Sequence, residues 1–351
     1  MKDKAKIKNI ILTVFTLLLL TALAYRAELF SSGAASGISL CLESVLPSML
    51  PFMFLSSFIA VSGAADLLGS LFGRPFFRLF RISSVSASAF IMSLVGGYPI
   101  GIKTAYALYE AGKTEQSEFK KLCTFCMCGG PGFIIGTVGN GFYGSRRAGL
   151  ILYFSSALSC VLLALAARLF FKGEGEQNPS SAYNVGSLSG SFFTAAKKAS
   201  KAVLEVCFLI VLFSSVQGFL SGLPDSAALR LLLSVLEVTT AVKSNITILS
   251  LPLISALIGF GGICVHIQVM PEIVKSGTGV GAFFISRLAH GALSYLCCRL
   301  LLFFFPIESG AFKPYSEPII LPYSVSLPAA VSLLISCGLM VWELANRRKM
   351  W

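Results

Sequence analysis

Charged residues are scarce in this sequence, and the charge that is present is mostly positive. Only 13% of the 351 residues are charged, with 28 lysines and arginines against 16 aspartates and glutamates, and the formal net charge is +12. A soluble domain carries about 25% charged residues. The basic residues occur in short scattered clusters, so we expect no nucleic-acid partner. Composition therefore argues against a soluble protein.

Catalytic signatures are also missing. The sequence has 2 histidines and contains no Gly-x-Ser-x-Gly, no Walker loop and no His-Glu-x-x-His. The Cys-x-x-Cys at Cys123 and Cys126 has no second pair at zinc-site spacing, and cysteine also packs as a small apolar residue. We expect no enzymatic activity, no metal and no cofactor.

Long apolar runs are what the sequence does have. Hydrophobic residues make up 55% of the chain, and mean hydropathy is +0.81. A membrane helix needs roughly 20 apolar residues. We expect an all-α polytopic membrane protein in the lipid bilayer, with two structural repeats in inverted orientation and with broken or re-entrant helices. The candidate spans are Ile10–Tyr25, Ile38–Val61, Val85–Tyr109, Leu122–Phe142, Ala148–Phe171, Ala202–Leu220, Ile246–Ile273, Gly281–Phe305 and Val325–Leu344.

Basic residues predict the orientation through the positive-inside rule. Lysines precede the first span, and Arg347, Arg348 and Lys349 follow the last, which places both ends in the cytoplasm. Both ends on one side require an even number of crossings, whereas the candidate spans are odd in number. A broken or re-entrant Val85–Tyr109 or Ile246–Ile273 restores the parity. We expect the first helix to be retained, although its start is also typical of a cleaved signal peptide.

Two glycine-broken apolar segments occupy corresponding places in the two halves. One reads SLVGGYPIGIK and contains the first break, Gly96-Gly97; the other reads GFGGICVHIQV and contains the second break, Gly261-Gly262. When the two segments are aligned on their glycine pairs, Lys103 corresponds to Gln268. Interrupted hydrophobic segments at matching positions are typical of a transporter binding site, because the freed backbone groups need polar partners inside the membrane.

The chain divides around a polar stretch. We predict an N-terminal transmembrane helix at 1–30, a first repeat half at 36–171, a linker at 172–190, a second repeat half at 191–306, and a linker with a C-terminal transmembrane helix at 307–351. The first half also contains Gly129-Gly130-Pro131-Gly132, which disfavours a continuous helix and forms a third break.

Polar residues inside apolar spans complete the candidate substrate site, because they are costly there and usually face a cavity. Lys103 either snorkels to the interface or faces a bound anion. His266 is either a structural hydrogen bonder or a proton carrier. Glu237 either pairs with a basic neighbour or binds substrate, and Asn140 either ends a helix or binds. The substrate-binding candidates are Gly96, Gly97, Tyr98, Pro99, Lys103, Gly130, Pro131, Asn140, Glu237, Gly261, Gly262, His266, Gln268, Arg287 and His290.

Taken together, these segments resemble the YlbJ-like sporulation integral membrane proteins. The resemblance rests on VLPSMLPF from Val45, GGYPIGIK, GPGFIIGTVGNGF and GFGGICVHIQV, and it covers roughly Ser36 to Phe305. Where related sequences often have Asn-Pro near the third break, this chain has Gly130-Pro131, so only the backbone break carries over. That family is similar to concentrative nucleoside transporters through its nucleoside recognition, or gate, domain.

The resemblance implies a role in endospore formation and a place in a bacterial cell membrane, the mother-cell-derived outer forespore membrane. It implies movement of dipicolinate, a small organic anion, from the mother cell toward the forespore, and it also implies a homo-oligomer. Two alternatives stay open. One is a nucleoside-like solute carrier, and the other is a membrane scaffold for spore cortex or envelope assembly.

Overall fold

The computed structural model describes residues 10–171, with gaps at 12, 15, 19, 22, 23 and 111, and residues 187–222, 227–245 and 249–307. Throughout this part of the chain the structure consists of helices and short connections, without a β-strand. The predicted all-α class is therefore confirmed for the described residues. The basic clusters at both chain ends, residues 172–186 of the predicted linker and nearly all of 307–351 lie outside the described residues.

Residues 10–25 are helical where they are described, and a series of shorter and longer helices follows. In chain order the α-helices are α1 (Ala27–Leu40), α2 (Leu46–Val61), α3 (Ala64–Phe80), α4 (Ser84–Gly96), α5 (Ile100–Glu110), α6 (Gln116–Phe125), α7 (Arg146–Phe170), α8 (Leu188–Ser221), α9 (Ala227–Leu236), α10 (Val238–Asn245), α11 (Leu251–Phe260), α12 (Gly262–Lys275) and α13 (Val280–Phe304). There are also two π-helical segments in the described chain. Cys41–Val45 joins α1 to α2, and Gly132–Phe142 follows the third break.

Several of the described helices are long and apolar enough to cross a membrane. They are Arg146–Phe170, Leu188–Ser221, Leu251–Lys275 and Val280–Phe304. A further candidate is a bent pair, Leu71–Phe80 with Ser84–Gly96, whose axes differ by 91°. The chain is thus an integral membrane protein. The two repeats and their inverted orientation stay a prediction.

Serine side chains begin several of these helices. Ser83 accepts a hydrogen bond from the backbone N–H of Ser86 at the start of α4, at 3.2 Å. Ser145 and Ser187 cap α7 and α8 in the same way. Each of these hydroxyls satisfies a first-turn N–H that has no partner within its helix.

Small residues let α7, α11 and α13 pack closely. Ser255 on α11 donates to the Ser294 carbonyl on α13 at 3.1 Å, and the Ser294 hydroxyl donates to the Ser159 hydroxyl on α7 at 3.1 Å. A Cβ at Gly259 would lie 2.5 Å from the Ser294 Oγ. Close backbone approach and interhelical hydroxyl bonds are typical of helix packing in membranes.

The predicted interruption of Val85–Tyr109 is present, because α4 ends at Gly96 and α5 begins only at Ile100. At the second break Gly261, with φ of +89°, separates α11 from α12, yet the two helices still form one apolar span. The third break separates α6 from the π-helical segment Gly132–Phe142. A fourth break, which the sequence does not predict, separates α9 from α10 at Glu237.

The first and third breaks lie directly against each other. Gly97 has φ of +80° and ψ of −177°, a backbone conformation that is essentially restricted to glycine. A Cβ on Gly97 would lie 2.5 Å from the backbone nitrogen of Gly130. Two interruptions that are distant along the chain therefore share one backbone-to-backbone contact.

We predict that Gly97→Ala destabilises the fold much more than Gly112→Ala. Both glycines have positive φ, but a Cβ on Gly112 would meet nothing within 4 Å. An alanine at Gly112 therefore costs about 1–2 kcal/mol of backbone strain alone. At Gly97 the clash with Gly130 adds to the strain of a backbone conformation that is essentially restricted to glycine. The measurement is the thermal unfolding temperature and the folded yield in detergent, and equal losses for both variants would contradict the contact.

Candidate functional site

A small pocket lies where the broken helices meet. Non-atom space in it amounts to about 330 Å³, part of which is open to the surroundings, while its enclosed part has room for about one water molecule. The residues that line it are Met49, Tyr98, Phe133, Val206, Ile210, Glu237, Val238, Thr239, Cys264, Val265 and Gln268.

Much of this lining comes from the N-terminal turns of half-helices. Tyr98 lies two residues before the start of α5, and Phe133 lies in the first turn of the π-helical segment. Thr239 lies in the first turn of α10, and Cys264 and Val265 lie in the first turn of α12. First-turn N–H groups have no partner within their own helix, and they give each N-terminus a partial positive charge. These helix ends therefore contribute partial positive charge around the pocket.

Glu237 brings a carboxylate to these helix ends. Its residue is 1% exposed and lies at the fourth break, where its Oε1 accepts a hydrogen bond from the Thr239 N–H at 2.8 Å. The second break packs against the same turn, because a Cβ on Gly262 would lie 3.0 Å from the Val238 nitrogen. A carboxylate at a helix N-terminus is stabilised by the helix dipole.

Tyr98 and Gln268 bring hydrogen-bonding atoms without partners to the pocket. They are 5% and 9% exposed, and within the described part of the chain neither the Tyr98 Oη nor the Gln268 Oε1 has a hydrogen-bond partner. The Gln268 Nε2 donates to the Cys264 sulfur at 3.8 Å. Buried polar atoms nearly always have partners, so these two indicate a place for a solute or a water.

His266 lies behind the pocket inside an aromatic cage. Its ring stacks on Phe284 with centroids 4.9 Å apart, and its centroid is 4.7 Å from that of Phe260 and 5.4 Å from that of Phe283. Its Nδ1 hydrogen-bonds to the Gly262 carbonyl. The histidine thus supports the first turn of α12 and does not line the pocket.

Arg287 and His290 join α13 to the third break. Arg287 is fully buried and donates through Nη1 to the Met127 carbonyl at 2.9 Å and through Nη2 to the Thr124 carbonyl. The Arg287 Nη1 also lies 3.3 Å from the His290 Nδ1, and the His290 Nε2 lies 3.1 Å from the Ser156 carbonyl on α7. This arrangement suits a histidine tautomer with its proton on Nε2. Both residues hold the walls of the site.

Lys103 lies beside the pocket in an ion pair with Glu205 of α8. Its Nζ is 2.8 Å from the Glu205 Oε2, and the two side chains are 30% and 44% exposed. Glu205 directly precedes Val206, which lines the pocket. The proposed role of Lys103 as the cation that faces an anion stays a prediction.

The remaining candidates contribute through the backbone or lie farther away. Gly96 ends α4, and a cis peptide bond joins Tyr98 to Pro99. Gly130 and Pro131 form the third break. Asn140 is half-buried in the later part of the π-helical segment and does not line the pocket.

Sequence reasoning missed the apolar wall of the pocket. Met49 comes from α2, while Val206 and Ile210 come from α8. Apolar residues on apolar helices carry no local signal that separates a pocket wall from a lipid-facing surface. The thiols near the third break remain free, and within the described residues no group of three or more His, Cys, Asp or Glu residues could hold a metal.

Comparisons with known proteins give one informative match. No protein-family model matches the sequence, and no solved structure matches it. The chain is 24% identical, over 363 aligned positions, to the sporulation integral membrane protein YlbJ of Bacillus subtilis strain 168. The alignment covers 89% of this chain and 86% of that relative. The chain is thus similar to YlbJ over nearly its whole length, which supports the resemblance to the YlbJ-like proteins. An integral membrane location for this YlbJ-like chain agrees with the long apolar helices, whereas similarity to nucleoside carriers stays a prediction.

We predict that Arg287→Leu in this YlbJ-like chain unfolds far more easily than Arg299→Leu. Loss of the guanidinium leaves the buried Thr124 and Met127 carbonyls unpaired, at about 1–3 kcal/mol each, or about 2–6 kcal/mol together. Arg299 lies on the exposed side of the same helix, so its replacement should stay within about 0.5 kcal/mol of the parent. Denaturation followed in detergent checks both values. A stability of Arg287→Leu close to that of the parent would show that the hydrogen bonds of Arg287 to these two carbonyls do not stabilise the fold.

Proposed function

We propose that this chain is a membrane transporter whose solute binds in the pocket between the helix breaks. The observation that carries this proposal is the pairing of helix N-termini in the lining with the Tyr98 Oη and the Gln268 Oε1, which have no hydrogen-bond partner among the described residues. Interrupted helices whose N-termini face a shared cavity are typical of solute sites in secondary transporters. A protein that serves only as a scaffold has no need of such a pocket.

We further propose that the transporter acts in sporulation and moves dipicolinate from the mother cell toward the forespore. The relative in Bacillus subtilis is named a sporulation integral membrane protein, and the family resemblance implies dipicolinate as the solute. Dipicolinate is a planar dianion with a ring nitrogen. Helix N-termini, the Tyr98 hydroxyl and the Gln268 amide offer hydrogen-bond donors to such a molecule.

Transport also requires a second conformation, because the enclosed part of the pocket admits about one water molecule. Ligand pockets for molecules of this size usually have about 300–1,000 Å³. The pocket reaches this range, with about 330 Å³ of non-atom space, only when the volume on its exposed side is counted. The described conformation is therefore a closed one, and the solute enters when the lining separates.

A nucleoside-like solute is the second candidate, and the carboxylate of Glu237 in the lining is the observation that favours it. The described residues that line the pocket include no lysine, arginine or histidine, whereas Glu237 supplies a carboxylate. Glutamate, glutamine, threonine and tyrosine together suit the hydroxyl and amide groups of a neutral polar solute.

Radiolabelled dipicolinate and radiolabelled uridine, offered separately to proteoliposomes, distinguish the two candidates. Flux of neither solute, together with a stable complex with other envelope proteins, would favour the scaffold.

We predict that Tyr98→Phe weakens transport without weakening the fold. The hydroxyl has no partner in the described part of the chain, so its removal leaves the free energy of unfolding unchanged or slightly higher. A lost hydrogen bond to solute, worth about 0.5–1.5 kcal/mol, corresponds to a rise of about 2- to 10-fold in KM. Tyr106→Phe on α5 is the matched control, because Tyr106 does not line the pocket. Equal KM values for Tyr98→Phe and the parent would remove Tyr98 from the site.

A further inference from the structure

The helix α3 runs across the direction of α4, and packing fixes the elbow between them. The two helix axes differ by 91°. Gly69 and Gly73 let α3 approach Ser84 so closely that a Cβ on either glycine would overlap it. Farther along, Phe80 packs edge-on against Phe90 of α4, with ring centroids 5.6 Å apart. The inner side of α3 therefore rests on α4, which decides which residues of α3 point outward.

The outward side of α3 combines apolar and basic residues. Leu71, Phe72 and Leu79 are 64%, 45% and 51% exposed, and Arg74 and Arg78 are exposed as well. Because the two arginines are four positions apart, their side chains lie on the same face of the helix. A helix with exposed apolar residues beside a basic edge is typical of a segment that lies in the interface of a bilayer.

Further cations gather where α3 ends. Arg168 on α7 donates through Nη1 to the Arg78 carbonyl at 3.0 Å, and Lys121 on α6 donates to the Arg81 carbonyl at 3.0 Å. The charges of Arg81 and Arg168 lie close enough to interact with Lys121, as does the charge of the acidic Glu118. The cluster that these four side chains form is therefore net positive.

The partner of this face of α3 must be both anionic and apolar, because Arg78 and Leu79 are neighbours on it. Inorganic phosphate would pair with the arginines but leave the apolar side chains uncovered. A second copy of the chain would bring its own arginines to a symmetric contact, where like charges repel. An acidic phospholipid satisfies both requirements, since its phosphate accepts bidentate hydrogen bonds from guanidinium groups and its acyl chains cover apolar side chains.

We propose that α3 binds an acidic phospholipid of the surrounding bilayer, with Arg74 and Arg78 on the phosphate and the exposed apolar residues of α3 against the acyl chains. The net-positive cluster at the end of α3 adds to the attraction for the headgroup. Through Arg168, the bound lipid also adjoins the end of α7. This lipid site is separate from the pocket and does not depend on which solute the pocket takes.

Purified protein in detergent, titrated with fluorescent phosphatidylglycerol and with phosphatidylcholine of the same acyl chains, tests the site. We expect phosphatidylglycerol to bind more tightly, to raise the thermal unfolding temperature, and to lose this advantage as salt screens the charges. Inorganic phosphate should compete poorly, because it has no acyl chains. For Arg74→Gln with Arg78→Gln we expect binding about 30-fold weaker, or about 5-fold for each arginine.

Arg146→Gln with Arg147→Gln is the matched control. These two arginines are also exposed, but they lie in the first turn of α7, at the opposite end of that helix from Arg168. The control removes the same amount of charge and should keep the affinity of the parent for phosphatidylglycerol. Where the α3 double variant yields too little folded protein, the single variants Arg74→Gln and Arg78→Gln take its place.

Three results would overturn the lipid site. The first is equal binding of phosphatidylglycerol and phosphatidylcholine, or unchanged binding after both α3 arginines are replaced. The second is an equal loss in the control, which would show that only the overall charge of the protein attracts the lipid. The third is self-association of the unmodified protein that disappears in the α3 variants, which would assign this face to a second copy of the chain.

Discussion

Backbone groups that are released where a membrane helix is interrupted must find partners inside the protein, since lipid offers none. This constraint organises the centre of the molecule. Gly97 at the first break lies against Gly130 at the third, and Gly262 at the second break lies against Val238 at the fourth. Each interruption thus gains a neighbour that is itself polar backbone. The pocket is the space that remains between these contacts, so its position follows from the same requirement that makes broken helices tolerable.

Side chains near the breaks follow the polarity of helix ends. Arg287 donates to the Thr124 and Met127 carbonyls at the C-terminal end of α6, whereas Glu237 accepts an N–H at the N-terminal end of α10. Cations are stabilised at helix C-termini and carboxylates at N-termini. This rule explains why the most deeply buried arginine supports the structure while a glutamate faces the pocket.

The sequence alone predicts some of the helix breaks and some of the pocket residues, but not all of them. Gly96-Gly97 and Gly261-Gly262 predict breaks because a glycine pair weakens a helix wherever it lies. Glu237 and Gln268 were recognisable because polar side chains are rare in apolar spans. The fourth break has no glycine or proline of its own at Leu236-Glu237-Val238. It depends on a carboxylate cap and on the approach of Gly262, which only the folded chain brings there.

The same distinction applies to the roles of the polar residues. Arg287 and His266 were candidate ligands because they are polar and lie in apolar surroundings, and the structure places both of them in hydrogen bonds to backbone carbonyls. In both cases the deciding atoms are backbone atoms, which every residue possesses and no sequence pattern marks. Residue type therefore predicts that a polar group matters, whereas its neighbours decide whether it binds a solute or holds the chain.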